Sequence, residues 1–297
     1  MKNLKKLTTQ KILVTGGAGF IGSHLCEALQ KLGNDITSLD NYLSGSYAHH
    51  INGIEYIRGS VLQINEIFPN RTFDMIFHFG EYSRVEQSLS DPITALENIT
   101  QPISQLVKYW MSSGAKLIYS GSSTRFSDQG FGETLSPYTL SKSLNAQLIN
   151  NFSSWYDLEA AIVYFYNVYG GRELRDGKFS TVIGKYKRLV EQGCVKLPVY
   201  GTGMQRRNFT HINDTISGIL LAAERGKGDE YGIGADVSYS ILDIVKQFQC
   251  EPEFRNETKA NRQSGHLKTE KIKALGWSAE VDLLDHIKNF LHKKPQI

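Results

Sequence analysis

The sequence predicts an α/β fold, a doubly wound parallel sheet with a smaller mixed C-terminal lobe. Three observations carry this expectation. Short β-branched runs alternate with helix-length amphipathic stretches through the first half of the chain, the sequence form of βαβ units. Three glycines, Gly16, Gly19 and Gly22, stand between the first such run and the first helical stretch. After about residue 167 the alternation gives way to a Gly-, Arg- and Lys-rich segment. The 297 residues are enough for one large domain or two closely joined ones.

Taken in order, strands are expected at Lys11–Thr15, Asp35–Asp40, 54–58, 75–79, 116–120 and 160–166. Helices are expected at 21–32, 61–68, 93–112 and 138–155. Gly33-Asn34 and Ser112-Ser113-Gly114 end two of these helices, because Gly and Asn tolerate a left-handed C-terminal turn. Beyond residue 167, helices are expected near 181–192, 213–225 and 242–249. Strands near 195–199 and 231–234 read as returning to the first sheet. The expected division is therefore residues 1–166 plus these two returning strands, and a lobe of residues 167–297.

Composition narrows the function. With 33 Lys+Arg against 30 Asp+Glu, the formal charge of +3 is too small and too dispersed for a nucleic-acid footprint. Cys26, Cys194 and Cys250 are widely spaced and build neither a disulfide framework nor a zinc site, which fits a reducing compartment. His24, His78 and His211 follow no metal-ligand spacing, so no metal is expected. The basic N-terminus runs into Thr8-Thr9-Gln10-Lys11 instead of an apolar segment, and no apolar stretch reaches the roughly 20 residues of a membrane span. The expected location is cytoplasmic, without a membrane partner.

The strand Lys11–Thr15 leads directly into Gly16-Gly17-Ala18-Gly19-Phe20-Ile21-Gly22 and then a helix. These glycines serve a tight turn, close backbone approach to a pyrophosphate, and close helix–strand packing, while the helix N-terminus favours phosphate charge. Asp40 lies at the end of the second strand, where a carboxylate accepts hydrogen bonds from both ribose hydroxyls of an adenosine and repels a 2′-phosphate. The motif therefore predicts a dinucleotide site selective for NAD.

A second cluster is Ser122, Tyr138 and Lys142. The four-residue spacing of Tyr138 and Lys142 puts both on one helical face. A phenol with pKa near 10 is a poor base at neutral pH, but a neighbouring ammonium and a nicotinamide charge favour the phenolate. Tyr138 can then take a proton from a sugar hydroxyl as its carbon gives up hydride, with Ser122 hydrogen-bonding the same oxygen.

These motifs, together with His78-Phe79-Gly80, Asn98, Ser120–Thr124, Tyr164–Gly170, Gly203–Asp214 and Leu275-Gly276-Trp277, resemble the extended short-chain dehydrogenase/reductases. Within that family the chain looks like the NAD-dependent nucleotide-sugar epimerase/dehydratases, and most like the UDP-glucose 4-epimerase branch. The resemblance implies a Rossmann-type domain, a UDP-sugar substrate and a homodimer built on helices 93–112 and 138–155. It implies cofactor contacts from Gly16, Gly19, Phe20, Ile21, Gly22, Asp40, Asn41, Ser60, Val61, Phe79, Gly80, Tyr138, Lys142 and Tyr166. Substrate contacts are implied for Glu81, Ser122, Ser123, Thr124, Tyr138, Asn167, Arg207 and Arg262, the two arginines gripping a diphosphate. Family dehydratases carry Asp and Glu where this chain has Ser123 and Thr124, which favours an epimerase acting on a UDP-hexose or a UDP-N-acetylhexosamine.

Departures from the family pattern leave alternatives open. Glu81 stands where epimerases carry a small residue. It either bonds the loop or Arg84, or it faces the sugar as an acid or base and restores dehydration. Ser60 stands in place of an Asp that contacts adenine. Arg262 is equally readable as a surface charge. The rival functions are a net 4-dehydrogenase or 4-keto reductase, a dehydratase, and a non-catalytic NAD-binding protein.

Overall fold

The computed structural model describes residues 7–126, 135–256 and 266–293. Its centre is a seven-stranded parallel sheet. The strands are β1 (Lys11–Thr15), β2 (Asp35–Asp40), β3 (Glu55–Arg58), β4 (Met75–His78), β5 (Lys116–Ser122), β6 (Ala160–Phe165) and, much later in the chain, Gly228–Ile233. Their spatial order is β3, β2, β1, β4, β5, β6 and then Gly228–Ile233. Strand order therefore reverses between β1 and β4, and ligands bind outside the carboxyl ends of the strands at such a switch point.

The strands on this sheet are apolar on both faces, as a sheet covered twice requires. One face packs under α1 (Phe20–Lys31), with Leu25 and Leu29 fully buried against Ile12, Val14 and Phe77. The other carries the short α2 (Ile64–Ile67) and the long helices α4 (Pro92–Ser113) and α5 (Pro137–Trp155), with Trp110, Leu106 and Ile149 against Leu117 and Ile162. The six-residue α3 (Val85–Ser90) leads into α4.

The remaining elements are β7 (Val168–Tyr169), α6 (Val182–Glu191), β8 (Lys196–Tyr200), β9 (Arg206–Asn208), β10 (Thr210–His211), α7 (Ile212–Arg225), β11 (the Gly228–Ile233 strand), β12 (Ser238–Ser240), α8 (Ile241–Gln247), β13 (Glu251–Arg255), α9 (Glu270–Ala274) and α10 (Leu283–His292). The expected return of residues 195–199 to the main sheet is corrected. β8 pairs in parallel with β13 in a separate two-stranded sheet, and only β11 joins β6. Leu197 and Val199 of β8 are buried in a second core with Ile183, Tyr186 and Phe248. The chain also returns to the first core after residue 167, since Ile216, Ile219, Ile272 and Trp277 pack with β1 and α1. Among the described residues no helix is long and apolar enough to cross a membrane.

Candidate active site

A cleft of about 570 Å³ runs across the carboxyl ends of β1, β4, β5 and β6. One wall comes from α6, β8 and β9, including Tyr186, Tyr200 and Arg207.

At the β1 end the backbone is drawn into a tight turn, with the Gly19 N–H donating to the Gly16 carbonyl at 3.0 Å. Gly16 has φ +74°, and a Cβ there would lie 2.8 Å from Cα of Gly80, so the turns after β1 and β4 touch. A Cβ on Gly22 would lie 2.1 Å from the Gly16 carbonyl oxygen, a contact that a neighbouring backbone cannot relieve. No side chain caps the N-terminus of α1, so its first amides are available to an anion. Gly22→Ala should therefore lower the melting temperature by several degrees, from an overpacking cost of about 1–3 kcal/mol. It should also weaken dinucleotide binding, read by calorimetric titration.

Asp40, at the end of β2, stands beside this turn. Its Oδ2 accepts the Ala18 N–H at 2.9 Å and its Oδ1 the Tyr42 N–H at 2.8 Å, which fixes the carboxylate plane. Burial raises its pKa despite these two backbone donors. The carboxylate thus remains short of donors, and two ribose hydroxyls supply them, whereas a further phosphate would add charge repulsion. The glycine contacts, uncapped helix and aligned carboxylate fit NAD.

At the other end, α5 is set by a capping box. Ser136 Oγ accepts from Thr139 N at 3.2 Å and Thr139 Oγ1 accepts from Ser136 N at 2.9 Å, with Pro137 in the first helical position. This places Tyr138 in the first turn and Lys142 one turn later, and both line the cleft. Ser122, at the end of β5, shares a hydrogen bond of 2.7 Å with Thr124 Oγ1. Ser123 and Thr124 also border the cleft.

Glu81 borders the cleft, and its partner is Lys142 instead of Arg84. Its side chain is only 2 % exposed and forms an ion pair with Lys142, which also donates to the Ser120 carbonyl. Tyr119 Oη and Asn145 Nδ2 each donate to Glu81 Oε1 at 3.2 Å, and His78 Nε2 lies 3.4 Å away. Burial would raise the carboxyl pKa, but the Lys142 ammonium and the His78 ring outweigh it and hold it below the usual range. Glu81 thus borders the cleft as the buried counter-ion of Lys142 and makes no bond to Arg84.

Ser60, Val61 and Tyr166 lie outside this cleft. Ser60 Oγ accepts the Leu62 N–H at 3.2 Å, capping a turn of 3-10 helix, and neither Ser60 nor Val61 borders the cleft. Tyr166 is 6 % exposed and points to the opposite side from its neighbour; its hydroxyl donates to the His266 carbonyl and accepts from Lys268 N. Phe165 lines the cleft instead, because side chains alternate at the end of β6. Arg262 lies outside the described residues.

Asn167 and Arg207 are brought together. Asn167 follows β6 in the left-handed region at φ +38°, tolerated by an asparagine, and its Nδ2 donates to the Asn208 carbonyl at 2.8 Å. That bond ties the strand end to β9, which presents Arg207 to the cleft. Phe20, Ile21, Asn41, Phe79 and Gly80 border the cleft as well.

Sequence reasoning gave no site role to Tyr82 or Arg84. Both line the cleft after β4. Arg84 Nη1 and Nη2 donate to the Ser83 and Phe179 carbonyls, and its Nε is enclosed without a partner. Burial lowers the Arg84 pKa against the favourable fields of Tyr138 and Tyr82. The only signal was an arginine at the N-cap of α3, where its side chain makes no capping bond.

Fold and site together define a nucleotide-handling α/β enzyme of the extended Rossmann type. Residues 12–234 match the family described as "NAD dependent epimerase/dehydratase family". A UDP-N-acetyl-alpha-D-glucosaminuronate decarboxylase of Bacillus cytotoxicus is 30% identical over 80% of this chain and 78% of its own length. A putative UDP-glucose 4-epimerase of Methanocaldococcus jannaschii is 27% identical over 95% of this chain and 97% of its own. The crystal structure of UDP-glucose 4-epimerase from Thermotoga maritima with UDP-glucose superposes with a TM-score of 0.87 at 24% identity, covering 95% of this chain and 99% of that one. The chain belongs to the NAD-dependent epimerase/dehydratase family, and its cofactor is NAD.

Proposed function

We propose that this protein is a nucleotide-sugar 4-epimerase acting on a UDP-hexose or a UDP-N-acetylhexosamine. One observation carries the choice within the family. The end of β5 presents the hydroxyls of Ser122, Ser123 and Thr124 beside Tyr138, while the nearby Glu81 carboxylate is locked beneath Lys142. Elimination across C5 and C6 needs an acid and a base facing those carbons. Interconversion at C4 needs only one group to move the hydroxyl proton and one to hold the oxygen.

Gly16, Gly19 and Gly22 would hold the NAD pyrophosphate, with Asp40 on the adenosine ribose. When bound, NAD supplies the site that takes a hydride from C4 and returns it. Tyr138 removes the proton from the C4 hydroxyl and later restores it. Ser122 donates to the C4 oxygen, and Thr124 Oγ1, bonded to Ser122 Oγ, sets its direction. Lys142, fixed by Glu81 and the Ser120 carbonyl, offers its remaining N–H to the ribose beside the nicotinamide. Arg207 grips the substrate diphosphate with its planar fork. Rotation of the 4-keto sugar between the two hydride transfers inverts C4.

The protein should be incubated with a panel of UDP-, GDP- and dTDP-sugars and the products identified by NMR. The expected result is a pair of C4 epimers of a UDP-sugar, with no net change in NADH absorbance. Stoichiometric NADH in solution would instead indicate a dehydrogenase or reductase, and inertness throughout would indicate a binding protein.

A homodimer forms part of the same reading. α4 and α5 pack side by side and expose Ile93, Leu96, Leu140 and Leu144, an apolar face that a second copy covers by two-fold symmetry. Leu144→Glu should then halve the mass measured by light scattering. A monomeric parent protein would contradict the assembly.

A further inference from the structure

Among the described residues, Arg84 lines the cleft without a carboxylate partner. Its hydrogen-bond acceptors are two neutral carbonyls, Ser83 and Phe179. Its Nε is enclosed and unpaired. The side chain belongs to the same wall as Tyr82 and Tyr138, and Phe179 packs against Tyr82 at 5.5 Å between ring centroids. A guanidinium in such surroundings has lost much of its water and received no anion in return, a cost that persists until a negative group arrives.

The neighbouring charges make this electrostatic position specific. Lys142 is neutralised by Glu81. Glu86 lines the cleft but is exposed, so water screens it. Among the described residues that line the cleft beside Tyr138, Lys142 thus has a carboxylate partner and Arg84 has none. Arg207, on β9, stands on a separate element suited to the diphosphate.

We propose that Arg84 recognises a carboxylate carried by the sugar ring, so that the preferred substrates are nucleotide sugars of the uronic-acid class. This rests on the nucleotide-sugar reading of the site and adds the charge of the sugar to it. A carboxylate gives the guanidinium the counter-charge that its two carbonyl acceptors do not supply, which a hydroxymethyl group at the same carbon does not.

The test is calorimetric titration of the NAD-loaded protein with UDP-glucuronate and UDP-glucose, which differ only in the oxidation state of C6, and with UDP alone. Wild type should bind the acid about tenfold or more tightly than the neutral sugar. Arg84→Gln should bring the acid down to the affinity of the neutral sugar, and Arg84→Lys should restore part of the difference. Equal affinities of the two sugars for wild type would overturn the proposal without any variant. It would also be overturned if Arg84→Gln weakened UDP alone by the same factor, which would place the arginine on the diphosphate, or if it released NAD while keeping the preference. Turnover of the sugar panel decides the epimerase reading separately, because a neutral-sugar epimerase shows C4 inversion with no acid preference.

Discussion

Tyr138→Phe should reduce turnover by about 10²–10⁴-fold while leaving NAD bound. The substitution removes one hydroxyl from a side chain that packs among Tyr82, Ala95 and Ile99 through its ring, so the wall of the cleft should persist. No other group in the proposed mechanism moves the C4 proton. Ser122 is a hydroxyl already engaged with Thr124, and Lys142 is held by Glu81 and Ser120. The loss should appear in kcat, with KM within a fewfold of wild type, because the missing interaction acts on the proton and not on substrate grip. Activity above one tenth of wild type would remove Tyr138 from this role.

Glu81→Ala should be the most damaging substitution for stability among the site residues. Removing one partner of a buried ion pair leaves the other charge uncompensated, at a cost of about 3–5 kcal/mol. Lys142, 4 % exposed at the side chain, has the Ser120 carbonyl as its other bonded partner. Tyr119 and Asn145 each lose the Glu81 acceptor. Glu81→Gln should cost less, since its amide oxygen still accepts from these groups.

The pH dependence has a definite sign. The folded-state pKa of Glu81 is depressed, so its contribution is fully present above the ordinary carboxylate value of 4.5 and is lost as pH falls toward about 2. Melting curves of wild type and Glu81→Gln should therefore converge as pH is lowered through that window and stay apart above it. Parallel curves down to pH 2 would show that Glu81 carries no charge-dependent stabilisation.

The elements around the switch point were legible because each is local. β1 and β2 fall on the residues that the β-branched runs delimit, and the glycine turn announces itself by spacing. The capping box at Ser136 and Thr139 is local too, but with Thr139 in place of the usual Glu or Gln it was not read from the sequence. The rest of what could not be read depends on partners distant in sequence. Lys196–Tyr200 is recognisable as a strand, but its neighbour, Glu251–Arg255, is fully exposed and contains Pro252, features that sequence reasoning assigns to loops. Glu81 and Lys142 are 61 residues apart, and nothing near Glu81 shows that its charge is already matched. Ser60 and Tyr166 lie beside cleft-lining segments, yet a one-residue change of face sends Tyr166 toward His266 and Lys268 and leaves Phe165 at the site.

The chemistry of the family divides on what happens after oxidation at C4. The most direct measurement is therefore NMR of the product formed from the preferred UDP-sugar in deuterated water. Oxidation and return of the same hydride at C4 exchange no carbon-bound hydrogen with solvent, so the predicted product is the C4 epimer with all its carbon-bound hydrogens undeuterated. Deuterium at C5 or C6, a 6-deoxy-4-keto product, or loss of the C6 carbon would contradict the account and assign the site to elimination or decarboxylation.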